Sequence, residues 1–121
     1  MSSSEITMVI PAESRFISTA RVTAASLAAE LDYSVDAIEQ LRMGANELIV
    51  LLTELAEDNA VPSVTVHFVV DDDSIEMRGR VDTDVSLDSE VDELARRILD
   101  ASVDEYGFEG NSGRILKRRD R

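Results

Sequence analysis

Cysteine and tryptophan are absent from this chain, and positive charge is scarce. Without cysteine there is no disulfide, no thiolate metal site and no cysteine nucleophile. Only three Phe and two Tyr are present, so Leu, Ile, Val and Ala must fill the core. No apolar run approaches the roughly 18 residues needed to span a bilayer. Residues Met1 to Glu5 show neither the basic nor the apolar part of a secretory signal. The expectation is therefore a cytoplasmic address.

Twelve Lys and Arg stand against 25 Asp and Glu, giving a net charge of −13. The imbalance is uneven. Residues 1–113 hold seven Arg against 24 carboxylates, a net −17, whereas residues 114–121 sum to +4. A body this acidic repels a phosphate backbone, which argues against nucleic acid as a partner. The same field attracts a basic protein, or simply keeps the domain soluble. The basic tail reads as a frayed, solvated terminus. At 121 residues the chain is long enough for one core and too short for two, so residues 1–121 form a single domain.

Hydrophobic periodicity gives the order of elements. Ile6, Met8 and Ile10 alternate in a first strand over 5–10, which Pro11 ends. From about Glu13 to Leu31, Phe16, Ile17, Ala20, Ala24, Leu27, Ala28 and Leu31 recur at helical spacing. Ser34 is placed to cap a second helix from Val35 to Glu57, whose apolar stripe runs from Val35 through Leu41, Leu48 and Leu52 to Leu55. Val64, Val66, Phe68 and Val70 mark a strand over 63–70. The polar turn 71–74 leads into another strand over 75–81, with Ile75, Met77 and Val81 on one side. Asp88 or Ser89 is placed to cap a third helix reaching about Ser102, with Val91, Leu94, Ala95, Ile98 and Leu99 inward. Two short strands follow near 105–109 and 114–117, joined by the turn Gly110 to Gly113. The order β-α-α-β-β-α-β-β implies an α+β two-layer sandwich, three helices on one face of a mostly antiparallel sheet. The outward side chains Thr65, His67, Glu76, Arg78 and Arg80 are polar, as a sheet covered on one side requires.

The segment Leu41 to Leu51, LRMGANELIVL, is similar to the N-box helix of the anti-sigma-factor serine kinases. These belong to the GHKL, or histidine kinase-like ATPase, superfamily. Ile10 and Pro11 ahead of a long helix, and Arg114 to Arg118 as a last strand, also resemble that family. The layout agrees over nearly the whole chain, but only the N-box is specific. In the family pattern a glutamate polarises the attacking group, and an asparagine four positions later holds magnesium. Residues four apart share a helical face, so one phosphate and its metal meet both. The resemblance makes Glu47 the catalytic glutamate and puts Asn46 beside the nucleotide. It makes Asp82 the adenine-reading aspartate of a second motif. It implies ATP and magnesium as cofactors, a sigma factor and an anti-sigma-factor antagonist as partners, and a homodimer.

The chain departs from the pattern at three places. Leu51 replaces the metal-holding asparagine, and leucine offers no oxygen to a hard cation. Asp84 and Ser86 replace the two glycines that let backbone close around a nucleotide. The glycine-rich lid has shrunk to about residues 82–88. The resulting expectation is an anti-sigma-factor-like regulatory binding protein with a degenerate ATP site; the alternative is an active ATP-dependent serine kinase. A third reading keeps only the scaffold, binding an unrelated protein. Taken without the resemblance, Glu47 is a helix-surface carboxylate and Asp82 an ordinary loop residue. His67, the only histidine, reads as a sheet-surface residue. Asp71 to Asp73 lack the glycine and glutamate of a calcium loop and read as a solvated turn. Gly44, inside a helix, implies close helix packing, and Gly110 and Gly113 read as turn residues.

Overall fold

A computed structural model describes residues 3–120. Strand β1 (Ser4–Pro11) leads through a short 3-10 turn into α1 (Ile17–Glu30) and then α2 (Val35–Asp58). Strands β2 (Ser63–Val70) and β3 (Ser74–Arg80) form a hairpin; a 3-10 turn over Leu87–Glu90 precedes α3 (Glu93–Ser102). Strands β4 (Glu105–Glu109) and β5 (Ser112–Arg118) close the chain's second hairpin. The sheet runs β1-β2-β3-β5-β4 with every pairing antiparallel. Among the described residues this is an α+β fold with three α-helices and five strands. No helix among the described residues is long and apolar enough to cross a membrane.

Helix α2 organises the core. The Ser34 side chain accepts from the Ala37 amide at 3.0 Å, a cap worth about 1 kcal/mol. Leu41, Leu48, Ile49, Leu52 and Leu55 are fully buried, meeting Val64, Val66, Phe68, Ile75, Met77 and Ile115 from the sheet. Small residues set how close the helices come. Ala20, Ala24 and Ala28 of α1 are fully buried and let that helix lie tightly along α2.

Gly79 fixes the approach of α2 to the sheet, since a Cβ there would stand 2.2 Å from the Leu52 Cδ1 atom. Gly113, which reads as a turn residue in the sequence, lies inside β5, where a Cβ would meet Leu48 at 2.9 Å and Leu87 at 3.0 Å. Gly110 alone has the backbone of a turn glycine, at φ 58°. Gly44 packs against the end of α3, with Val103 Cγ1 2.6 Å from an added Cβ.

Several sequence expectations need correction. Asp92 caps α3, accepting from the Ala95 amide at 2.8 Å; Asp88 and Ser89 lie within the preceding 3-10 turn. Val91 is extended (φ −89°, ψ 114°) and breaks what periodicity alone reads as one helix. Leu94 and Val35 are exposed, at 64% and 76%, rather than inward.

The basic tail up to residue 120 is tied down, not frayed. Arg114 Nε donates to Glu76 at 2.8 Å, Lys117 Nζ to Gln40 at 2.7 Å, and the Arg119 amide to the Asp73 carbonyl at 2.7 Å. Arg118 pairs with Glu105, and Ser34 with Asp120. The Tyr33 hydroxyl donates to the Lys117 carbonyl at 2.9 Å. Burial, reinforced by Asp71 and Asp104, pushes the Tyr33 pKa up to about 12. Residue 121 lies outside the described residues.

Gly79→Ala should cost about 1–3 kcal/mol by overpacking against Leu52, lowering the Tm by several degrees. An unchanged melting curve would mean that α2 does not sit this close to β3.

Candidate functional site: a groove between the helices

Glu47 and Asn46 lie side by side on α2 and border a shallow groove of about 430 Å³ between the three helices. Arg21 of α1, the ion-paired Glu39 and Arg42 and Met43 of α2, and Ile98 of α3 complete its edges. Asn46 is already engaged, its Oδ1 accepting from Arg21 NH1 at 2.7 Å. Met43 is 51% exposed. Leu94 lies one turn before Ile98 on α3 and so shares its face.

No hydrogen bond or ion pair engages Glu47 among the described residues. Its pKa is raised, first by burial and then by the negative charges of Asp92 and Glu54. A second carboxylate, Glu90, is raised by burial and by Asp58 and Glu54. These pairings show that residues 90–92 run along the α2 face formed by Glu47, Leu51, Glu54 and Asp58, which recur at helical spacing. Leu51 lies on that face and is only 3% exposed. It belongs to the same core cluster as Leu87.

Asp82 is exposed, opens the bent segment after β3, and is not among the residues lining the groove. The structure therefore joins Asn46 and Glu47 and leaves Asp82 apart. Three hydrogen bonds hold the segment down: the Val81 amide donates to the Asn111 carbonyl at 3.1 Å, the Leu87 amide to the Gly110 carbonyl at 2.7 Å, and the Asn111 side-chain Nδ2 to the Val81 carbonyl at 2.6 Å. Leu87 is fully buried. Magnesium-ATP does not fit these side chains. Leu51, at the position the resemblance gives to the metal ligand, is buried, Asn46 is spent on Arg21, and the face beside Glu47 already carries uncompensated negative charge. No cluster of three or more potential metal ligands occurs among the described residues.

The sequence did not single out Met43, and it placed Leu94 inward, whereas both are exposed, at 51% and 64%. His67 is a sheet-surface residue, with Nε2 2.6 Å from Glu5 and Nδ1 2.6 Å from the Thr7 hydroxyl. A ring protonated on Nε2 donates to the carboxylate and accepts from the hydroxyl. Asp71 accepts the Asp73 and Ser74 amides at 2.8 and 2.7 Å, which lowers its pKa and makes it the organiser of a turn.

Compared with known proteins, the chain matches no family model and no curated protein.

The raised pKa of Glu47 has a definite consequence for stability. Its folded-state pKa lies above the unfolded one, so the folded state binds that proton more tightly. The stability this contributes is present at low pH and is lost as pH rises through the folded-state pKa. Glu47→Gln should therefore raise the Tm at pH 7, and the gain should shrink as the pH falls through the raised folded-state pKa and be gone below about pH 4, near the ordinary glutamate value. A pH-independent difference between the two proteins would show that the charge is not strained.

Proposed function

We propose that this chain is an anti-sigma-factor-like regulatory binding protein on a histidine kinase-like ATPase fold, holding a sigma factor or a partner regulator without nucleotide. The observation that carries this reading is the burial of Leu51, 3% exposed, at the position where the resembling family places its metal-holding asparagine. Apolar packing gives that position a role in stability that needs no ligand. The groove beside it presents Met43 and Ile98, with Leu94 64% exposed nearby. Methionine and leucine on a helix face suit a protein surface, because flexible apolar side chains repack against a partner. The net charge of −13 steers a basic partner toward this domain. The strand and helix order supports descent from the same fold as the resembling family.

The alternative is an active ATP-dependent serine kinase acting on an anti-sigma-factor antagonist. It draws on the half-buried Glu47 at the groove's edge, where a raised pKa suits a general base.

Thermal unfolding separates the two readings. Millimolar magnesium-ATP or magnesium-ADP should leave the Tm unchanged. Ligand at 100 times its Kd would add about 2.7 kcal/mol, and a shift of that size would put the kinase first. The binding surface is tested by calorimetry against purified sigma factors of the source organism. Met43→Glu combined with Leu94→Glu should weaken the complex at least tenfold, about 1.4 kcal/mol. Full affinity in that variant would place the contact elsewhere, and no complex with any sigma factor, nor with an anti-sigma-factor antagonist assayed in the same way, would end the proposal.

A further inference from the structure

Gly107 stands in the middle of β4, an edge strand of the sheet. Glycine weakens a strand interior, and without a packing reason it marks a place where a ligand or another backbone comes close. Gly44, Gly79 and Gly113 each have such a packing reason, and Gly110 has its turn. Gly107 has neither: a Cβ there would meet nothing within 4 Å. Its neighbours Tyr106 and Phe108 pack against the core, so position 107 opens onto the uncovered face of the sheet.

That face carries a groove of about 600 Å³ bordered by Gly107, Arg78, Arg80, Arg114, His67 and Ser112. Glu109 is its one carboxylate against three arginines, in a chain whose net charge is −13. Arg78 and Arg114 are direct cross-strand partners, and Gly107 pairs with Arg114 from the other side. Arg80 lies two residues along β3, roughly 6.8 Å away. Like charges placed opposite one another destabilise a sheet.

Glu76 offsets part of that repulsion. Its side chain, 13% exposed, accepts from Nε of Arg78 and Nε of Arg114, each at 2.8 Å. Arg114 NH2 reaches Glu105 only at 3.4 Å. Because Glu76 holds both guanidiniums by Nε, terminal N–H groups of these groove-lining arginines remain to take an oxyanion, which guanidinium groups bind bidentately. Arg80 has no hydrogen bond or ion pair among the described residues.

We propose that the open sheet face is a binding site for a small ligand bearing two or more oxyanion groups, seated between Arg78, Arg80 and Arg114 over the space left by Gly107. The site lies on the opposite side of the sheet from the helix groove and stands independently of the function proposed above. Phosphate and carboxylate share the required chemistry, so two probes distinguish them, pyrophosphate and citrate.

The test is a ¹⁵N NMR titration of the full chain with each probe at constant ionic strength. At least one probe should produce saturating shifts at the Gly107 amide and the three arginine Nε resonances, with the amides of α2 unmoved. Saturation by pyrophosphate alone assigns a phosphate ligand, and by citrate alone a polycarboxylate. Gly107→Val should weaken that binding tenfold or more while leaving the Tm equal or higher. Arg80→Ala, which breaks no contact, should weaken it similarly. Saturation with neither probe would overturn the proposal, as would undiminished affinity in both variants. A marked fall in the Tm of Gly107→Val would also overturn it, by giving the glycine a structural reason.

Discussion

Everything else in this fold depends on how closely α2 lies to the sheet. Leu52 occupies the space above Gly79, and Leu48 the space above Gly113. Along the same helix Gly44 receives the end of α3. Three positions without side chains therefore set one helix into both the sheet and its neighbouring helix. In a chain with few aromatic residues this is a direct way to reach interior density. Aliphatic side chains fill the volume only when backbones approach, because dispersion gains fall off within an ångström of separation.

The same closeness explains what became of the face of α2 that carries Glu47. Residues 87–92 lie along it, Leu87 is fully buried, and Leu51 joins the core. The polar residues left at its margin, Glu47, Glu54, Asp58, Glu90 and Asp92, are all acidic and lie near one another. Burial and mutual repulsion raise the pKa values of Glu47 and Glu90. The protein thus carries its electrostatic strain on the helical side. On the sheet side, arginines and glutamates interleave, and Glu76 ties Arg78 to Arg114. A net charge of −13 hides this polarity between the two faces.

The sequence made most of the architecture legible. Alternation in 64–70 and the long stripe of α2 carried strong periodic signals, and both elements stand where those signals put them. Errors arose where local rules were outvoted. Val91 fits a helical pattern with Leu94 and Ala95, but Asp92 offers a better cap, so the helix starts later and Leu94 turns outward. Gly113 looks like turn chemistry beside Asn111, yet a two-residue turn already suffices and Gly113 is needed beneath Leu48. Of the candidate site, the adjacency of Asn46 and Glu47 followed from the helix itself. Their separation from Asp82 did not, because it depends on the long-range bonds from Asn111 and Gly110 to residues 81–87. No window of sequence contains both ends of those bonds.

The position of β5 bears on how the molecule acquires its shape. It comes after every other element in the chain, yet it lies between β3 and β4 in the sheet. Until it arrives, β4 has no neighbour, and β3 presents an open edge. A nascent chain can assemble β1, β2, β3 and the first two helices, but the inner face stays partly unsealed while synthesis continues. Closure then requires the β4–β5 hairpin to dock through β5 onto the edge of β3, a contact of high sequence separation and correspondingly slow formation. During that interval the open edge is the part of the molecule most exposed to mispairing with another chain, and the arginines that alternate along β3 and β5 provide the repulsion that discourages it.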